Sequence, residues 1–226
     1  MDEKNIATEN DASTSHLKVV EPAKATKAKK KEKKGMNLPN KLTILRIVLV
    51  PIYIACMIYI PNPFVCGFMA GIVFVITAAT DFFDGSIARK YNLVTNFGKF
   101  MDPVADKILV FSSFLTLAVK VEPLQEFLVW TCAIVFLREL MVTSLRLVCA
   151  NTEVGVVAAS VFGKAKTIIQ DVTIGIVLVE YALIEGRVVN TMWIASYILI
   201  IATIISTIGS GIDYLKTYAK YINPNE

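Results

Sequence analysis

The chain has 226 residues, a formal net charge of +4 and a hydrophobic fraction of 55%. This fraction is above the roughly half-apolar composition of soluble domains. The mean hydropathy of the chain is also high, at +0.58. These values exclude an ordinary soluble basic protein and indicate an integral membrane protein.

Residues 1–35 form a lysine-rich segment without apolar periodicity. Seven lysines lie between positions 24 and 34, among alanine, threonine and glutamate. Such a segment cannot bury enough apolar surface to offset its ordering entropy, so we expect a disordered basic tail. No aromatic residues are interleaved with these lysines, which argues against nucleic acid as a partner and favours an anionic lipid surface.

Residues 36–226 alternate long apolar segments with short polar breaks. Segments long enough to cross a hydrocarbon core of roughly 30 Å occur at 42–60, 64–80, 103–119, 127–149, 167–184 and 191–212. We therefore predict a single membrane domain with an all-α fold, an integral membrane bundle of six transmembrane helices.

The cationic residues of this domain are distributed unevenly between the two ends of the predicted spans. If the basic tail is cytoplasmic, only Lys120 and Arg187 fall in the opposite loops. The positive-inside rule then predicts that both termini and the polar segment 81–102 are cytoplasmic. We expect a multi-pass protein of the cell membrane whose active site faces the cytoplasm.

Cysteine and histidine offer little chemistry in this sequence. The four cysteines have no CxxC spacing, and the one histidine, His16, lies in the basic tail. We expect the cysteines to behave as buried apolar residues. A reaction carried out by this chain must therefore depend on carboxylates, lysines and arginines.

Four of the eight aspartates lie within 26 residues, between the second and third predicted spans: Asp81, Asp84, Asp102 and Asp106. The first pair is three residues apart and the second pair four, so each pair shares one face of its helix. The simpler alternative is that these four carboxylates are only exposed to solvent in a loop. Like charges this close in a membrane protein, however, require cations to balance them. Oxygen ligands without cysteine or histidine favour Mg²⁺ or Mn²⁺, and two such ions could clamp a diphosphate.

The run from Asp81 to Arg89, followed at fixed gaps by Gly98, Asp102 and Asp106, resembles the complete signature of the CDP-alcohol phosphatidyltransferases. A match of eight fixed residues with fixed gaps is highly specific. The resemblance extends from residue 36 to about residue 215. It implies a metal-dependent transferase that takes a phosphatidyl group from a CDP-activated lipid.

The resemblance also implies roles for individual residues. Asp81, Asp84 and Asp102 would bind the metal ions, while Asp106 would contribute to the second ion and act as the general base. We expect the CDP-lipid to be bound by seven further residues: Asn40, Thr43, Arg46, Gly85, Ala88, Arg89 and Gly98.

The flanking segments indicate the acceptor alcohol. Residues 37–46, the pair Arg138-Glu139, Arg146 and residues 163–170 resemble the phosphatidylglycerophosphate synthases of that family. This resemblance implies CDP-diacylglycerol and glycerol 3-phosphate as substrates, and a homodimer. The acceptor phosphate would be bound by four cationic residues, Arg138, Arg146, Lys164 and Lys166, although boundary lysines also commonly face lipid headgroups.

Several alternatives stay open from the sequence. The shared aspartates do not specify the acceptor, so a cardiolipin, phosphatidylserine or phosphatidylinositol phosphate synthase would have the same signature. A membrane prenyltransferase would place its aspartate motifs farther apart, and an ion-coupled transporter would show repeated halves with broken helices. Asp171 and Glu180 also lie in a predicted span, where we expect contacts to other helices or to a cavity.

Overall fold

The computed structural model describes residues 38–90, 95–150, 161–186 and 192–218, and the basic tail lies outside this part of the chain. The described residues form helices and contain no strand. The helices are α1 (Leu38–Tyr59), α2 (Pro63–Lys90), α3 (Asn96–Lys120), α4 (Gln125–Ala150), α5 (Val161–Glu180) and α6 (Ile194–Tyr218). A 3₁₀ turn at Glu122–Leu124 precedes α4, and a π-helical turn at Tyr181–Glu185 extends α5.

Five stretches of the described helices are long and apolar enough to cross a membrane: Asn40–Tyr59, Pro63–Asp81, Glu122–Arg146, Ala165–Glu185 and Ile194–Tyr218. They overlap five of the six predicted spans. The remaining prediction, 103–119, lies in α3, which is helical but carries Asp102, Asp106 and Lys107 in its first half. The sixth span therefore stays a prediction.

The apolar side chains of these helices lie either in the core between the helices or on the outer surface of the bundle. Tyr53, Phe114 and Leu128 are fully buried in the core between helices. Trp130 and Leu137 are instead among many large apolar residues on the outer surface. An outer surface of this kind is suited to lipid, since the hydrocarbon of a bilayer solvates it as well as a protein core would.

Polar side chains between the helices have partners within the bundle. The Thr77 hydroxyl donates to the Val73 carbonyl oxygen of its own helix. Between α5 and α6, the hydroxyls of Thr173 and Thr203 lie 2.7 Å apart. At the start of α6, the Ser196 backbone N–H and hydroxyl both donate to the Glu180 carboxylate, which is the helix contact expected for this residue.

Helix α2 packs against the C-terminal part of α5 at Gly67. A Cβ atom at this position would lie 2.8 Å from both the Ala182 Cβ and the Leu178 carbonyl oxygen. One turn later, a Cβ at Gly71 would meet no atom within 4 Å. The absence of a side chain is therefore needed for close packing at Gly67 and not at Gly71.

We predict that Gly67→Ala destabilises the bundle by about 1–3 kcal/mol, because the added methyl would collide with the backbone of α5. Gly71→Ala is the matched control on the same helix and should be neutral or stabilising by up to about 1 kcal/mol, since alanine favours the helix. Thermal unfolding of the purified proteins in detergent compares the two. Equal melting temperatures for both variants would contradict the packing argument.

Candidate active site

Three polar residues of α1 lie on one face of that helix. Asn40, Thr43 and Arg46 recur at intervals of three residues, and their exposed fractions are 9%, 1% and 0%. Spacing of this kind places side chains one above another along a helix. Because polar groups buried in a membrane bundle need partners, this face must be covered by polar groups of the neighbouring helices.

Arg46 connects α1 to the end of α2. Its Nη1 atom lies 2.8 Å from Oδ1 of Asp81, and while Arg46 is fully buried, 49% of the Asp81 side chain is exposed. The ion pair therefore lies at the edge of the bundle, with the carboxylate facing outward.

Thr43 and Asn40 connect α1 to the start of α3. The Thr43 hydroxyl donates to Oδ1 of Asp102 over 2.6 Å. The Thr95 hydroxyl donates to Oδ1 of Asn40 over 2.7 Å and accepts from the Gly98 backbone N–H over 3.0 Å. Thr95 is thus the N-cap of α3 as well as a partner of α1, a role that a threonine directly before a helix could have suggested.

Gly98 lies where α1 and α3 approach closely. A Cβ atom at this position would be 3.3 Å from Oδ1 of Asn40 and 3.5 Å from Oδ2 of Asp102. A side chain at this position would therefore crowd Asn40 and contact the Asp102 carboxylate, which the glycine of the signature avoids.

Asp106 follows Asp102 by about one turn of α3 and is half-buried. It lies in the electrostatic range of two anionic residues, Asp81 and Glu139, and two cationic residues, Arg46 and Lys166. Asp106 is thus positioned between the aspartates near α1 and a second group of charges on α4 and α5.

The side chains of five predicted site residues are not described by the structure. Asp84, Gly85, Ala88 and Arg89 are in the last turns of α2, and Lys164 is in the first turn of α5, but these side chains lie outside the described part of the chain. Among the side chains that are described, no three acidic, cysteine or histidine residues are grouped closely enough to hold a metal ion. The convergence of all four aspartates stays a prediction.

A cavity of about 340 Å³ lies between α3, α4, α5 and α6. It brings Asp106 together with three of the four residues predicted to bind the acceptor phosphate. The charged residues that line it are Asp106, Lys107, Arg138, Glu139, Arg146 and Lys166. Lys107 was not among the predicted site residues, although its position directly after Asp106 could have indicated that it lies in the same site.

Glu139 is the centre of the charge network in this cavity. Its Oε1 atom lies 2.8 Å from Nη1 of Arg138 and also accepts from Nζ of Lys166. Its Oε2 atom lies 3.9 Å from Nζ of Lys107, whose ammonium group donates to the Thr143 hydroxyl over 2.6 Å. Because Arg138 lies away from the predicted membrane boundary, the sequence suggests Glu139 as a polar partner for it, and the structure confirms this pair. The contacts of Glu139 with Lys166 and Lys107 were not predicted.

Tyr214 of α6 holds the two arginines of the cavity. The guanidinium carbons of Arg138 and Arg146 lie 5.3 and 5.2 Å from its ring centroid. Arg146 also donates to the Tyr214 hydroxyl, and Arg138 donates to the Ser210 hydroxyl over 2.6 Å. No sequence signal pointed to Tyr214, because a tyrosine near the end of a membrane helix is common.

Comparisons with known proteins agree with one another. The family described as CDP-alcohol phosphatidyltransferase matches residues 36–208. A protein of Rickettsia bellii named CDP-diacylglycerol–glycerol-3-phosphate 3-phosphatidyltransferase is 36% identical over 192 residues, which cover 82% of this chain and 97% of the relative. A Bacillus subtilis protein of the same name is 43% identical over 157 residues, covering 64% of this chain and 77% of the relative. A Mycobacterium tuberculosis protein named probable phosphatidylglycerophosphate synthase is 34% identical over 180 residues, covering 79% of this chain and 80% of the relative.

We predict that Tyr214→Phe loses stability because Arg146 loses its hydroxyl acceptor, at a cost of about 1–2 kcal/mol. Tyr214→Leu should lose more, because both guanidinium groups then lack the aromatic face as well. Thermal unfolding in detergent gives the ranking wild type, Phe, Leu. If the Leu variant unfolded at the temperature of the Phe variant, the ring would contribute nothing and the description of this contact would be wrong.

Proposed function

The chain belongs to the CDP-alcohol phosphatidyltransferase family, and we propose that it transfers the phosphatidyl group of CDP-diacylglycerol to sn-glycerol 3-phosphate. The products are phosphatidylglycerophosphate and CMP, so the enzyme acts in phospholipid biosynthesis. The observation that carries this proposal is the cavity in which Asp106 meets Arg138, Arg146 and Lys166. This cavity supports the proposal because a carboxylate that could act as a base and cationic groups suited to a phosphate-bearing alcohol line it together.

The CDP-lipid is assigned to the side of Asp106 that faces α1. Asn40, Thr43 and Arg46 lie there beside the Asp81 and Asp102 carboxylates. Gly98 is assigned to the same ligand, because it lies against Asn40 and the Asp102 carboxylate. By their place in the family signature, we assign Gly85, Ala88 and Arg89 to the same ligand.

Two metal ions, Mg²⁺ or Mn²⁺, are proposed to bind Asp81, Asp84, Asp102 and Asp106. The donor chemistry fits, because these ligands are all carboxylate oxygens. The Asp81 side chain is 49% exposed, which leaves this carboxylate accessible to an ion. When bound, the ions would polarise the diphosphate and neutralise charge on the leaving CMP.

The protein's own residues account for the proton and for the position of the acceptor. Asp106 is assigned the role of general base, accepting the proton of the acceptor hydroxyl as its oxygen forms a bond to the lipid phosphorus. The bond between that phosphorus and the bridging oxygen of the diphosphate breaks, and CMP leaves with the bonding electron pair. Arg138, Arg146 and Lys166 would hold the acceptor phosphate during this step, and we assign Lys164 the same role.

The protein is a multi-pass membrane protein, and we propose that it lies in the cell membrane with six spans. The cationic side chains of the cavity lie at the same end of the bundle as Asp81, whereas Lys120 ends α3 at the other side. This asymmetry supports a cytoplasmic site and cytoplasmic termini. A homodimer is proposed from the family resemblance, and the mass of the protein in detergent micelles tests it.

The acceptor is the part of the proposal with real alternatives. Family membership sets aside a prenyltransferase and a transporter, but cardiolipin, phosphatidylserine and phosphatidylinositol phosphate synthases share the signature. The four cationic residues that line the cavity with Asp106 favour an acceptor with a phosphate over serine. A free phosphate on a small alcohol can accept several charge-assisted hydrogen bonds at once.

We predict that the purified enzyme releases CMP from CDP-diacylglycerol rapidly with glycerol 3-phosphate. The rate should fall by at least about tenfold with serine, inositol phosphate or phosphatidylglycerol, which present a different charge or shape to the cavity. Chromatographic measurement of CMP decides between these acceptors. Chelation should stop the reaction, and added Mg²⁺ or Mn²⁺ should restore it.

Comparable CMP release with serine or inositol phosphate would contradict the choice of acceptor and leave the family chemistry intact. Full activity after exhaustive chelation would contradict the metal site.

We predict that Asp106→Asn lowers the rate of CMP release by about 10²–10⁴-fold, since an amide cannot accept the hydroxyl proton. Binding of CDP-diacylglycerol should change far less, because the other aspartates remain. Asp213→Asn removes a carboxylate of α6 that does not line the cavity and serves as the control with unchanged turnover. Near-normal turnover by the Asp106 variant, with substrate binding intact, would show that another group is the base.

A further inference from the structure

We propose that Glu139 is an internal counter-anion of the acceptor cavity, holding the cationic side chains in the absence of substrate and releasing them to the acceptor phosphate. The inference rests on the proposed function of this cavity. It makes Glu139 a determinant of how tightly the acceptor binds.

The first step of the argument is burial. Lys166 and Arg138 have side chains only 6% and 9% exposed, and both are paired with Glu139, which is 15% exposed. Buried cations without a counter-charge are strongly destabilising. Before the acceptor arrives, the Glu139 carboxylate is therefore the group that makes this arrangement of cations stable.

The second step is geometry. One carboxylate oxygen of Glu139 binds both Arg138 and Lys166, while the other lies 3.9 Å from the Lys107 ammonium group, too far for a hydrogen bond. The carboxylate thus occupies the position between three cations that line one cavity. A phosphate monoester has three terminal oxygens and can accept hydrogen bonds from all three cations. The Glu139 carboxylate, with two oxygens, accepts them from only two of the three.

The third step is competition. Two anions that need the same cations exclude each other, because like charges at short distance repel strongly where water is scarce. Linkage then requires that removing the carboxylate destabilises the empty protein and raises its affinity for phosphate. If Glu139 instead only positioned the cations for phosphate, its removal would disorder the phosphate site and lower the affinity for phosphate.

The test is Glu139→Gln in the full-length protein, followed by thermal unfolding in detergent over a range of inorganic phosphate concentrations. Without phosphate the variant should melt below the wild type. With phosphate its melting temperature should rise more steeply, corresponding to a dissociation constant at least about tenfold lower than that of the wild type. In the CMP assay the variant should be inhibited by inorganic phosphate at correspondingly lower concentrations.

Glu180→Gln is the matched control. This carboxylate also joins two helices, through Ser196, but it does not line the cavity. Its loss should lower the melting temperature without changing the response to phosphate. Glu139→Asp keeps the charge on a shorter side chain and should give a phosphate affinity between those of the wild type and Glu139→Gln, which provides a second variant if the first does not fold.

Weaker phosphate binding by Glu139→Gln, or by Glu139→Asp when only that variant folds, would overturn the proposal. So would a response to phosphate equal to that of the wild type. These unfolding measurements need no turnover and are therefore separate from the proposed function. If the wild type binds phosphate but does not release CMP with glycerol 3-phosphate, the proposed function fails and the exchange of anions is judged on the unfolding data alone.

Discussion

The structure depends on one constraint, which is that the polar face of α1 is buried inside a bundle of apolar helices. Arg46 is completely buried and keeps its charge by pairing with Asp81 at the end of α2. Thr43 on the same face binds Asp102 near the start of α3. Since an isolated charge in such a place is very costly, the ends of α2 and α3 are held against α1. The same contacts therefore stabilise the bundle and hold Asp81 and Asp102 against the polar face of α1.

Helix α3 connects this region to the acceptor cavity. Four residues in an α-helix advance the chain by about 6 Å and turn it by about 40° beyond a full rotation. Asp102 accordingly contacts α1, while Asp106 reaches the cavity lined by α4, α5 and α6. The spacing of the last two signature aspartates thus places Asp102 beside α1 and Asp106 in the cavity.

The sequence could predict the helices and the chemical class because both depend on local patterns. Apolar segment length identifies spans, and the aspartate spacing identifies a metal-dependent transferase. It could not predict which side chains meet across helices. Arg46 is predicted to contact the CDP-lipid, but its ion pair with Asp81 could not be read from the sequence. Tyr214 gave no local signal, and Glu139 was suggested only as a partner of the adjacent Arg138, because their other contacts depend on how α4, α5 and α6 pack together.

Both proposed substrates are anions, and the charges of the site are distributed accordingly. Carboxylates predominate near α1, where metal ions would mediate the contact to a diphosphate, and cations predominate in the cavity, where a phosphate can bind directly. Asp106 lies at the border and is influenced by both groups. Asp171 of α5 is half-buried in the electrostatic range of Asp106, Asp81 and Lys166, so it is a further carboxyl group at the same border. By the exchange of anions proposed for Glu139, a carboxylate among these cations would lower the affinity of the cavity for phosphate and so favour release of the product.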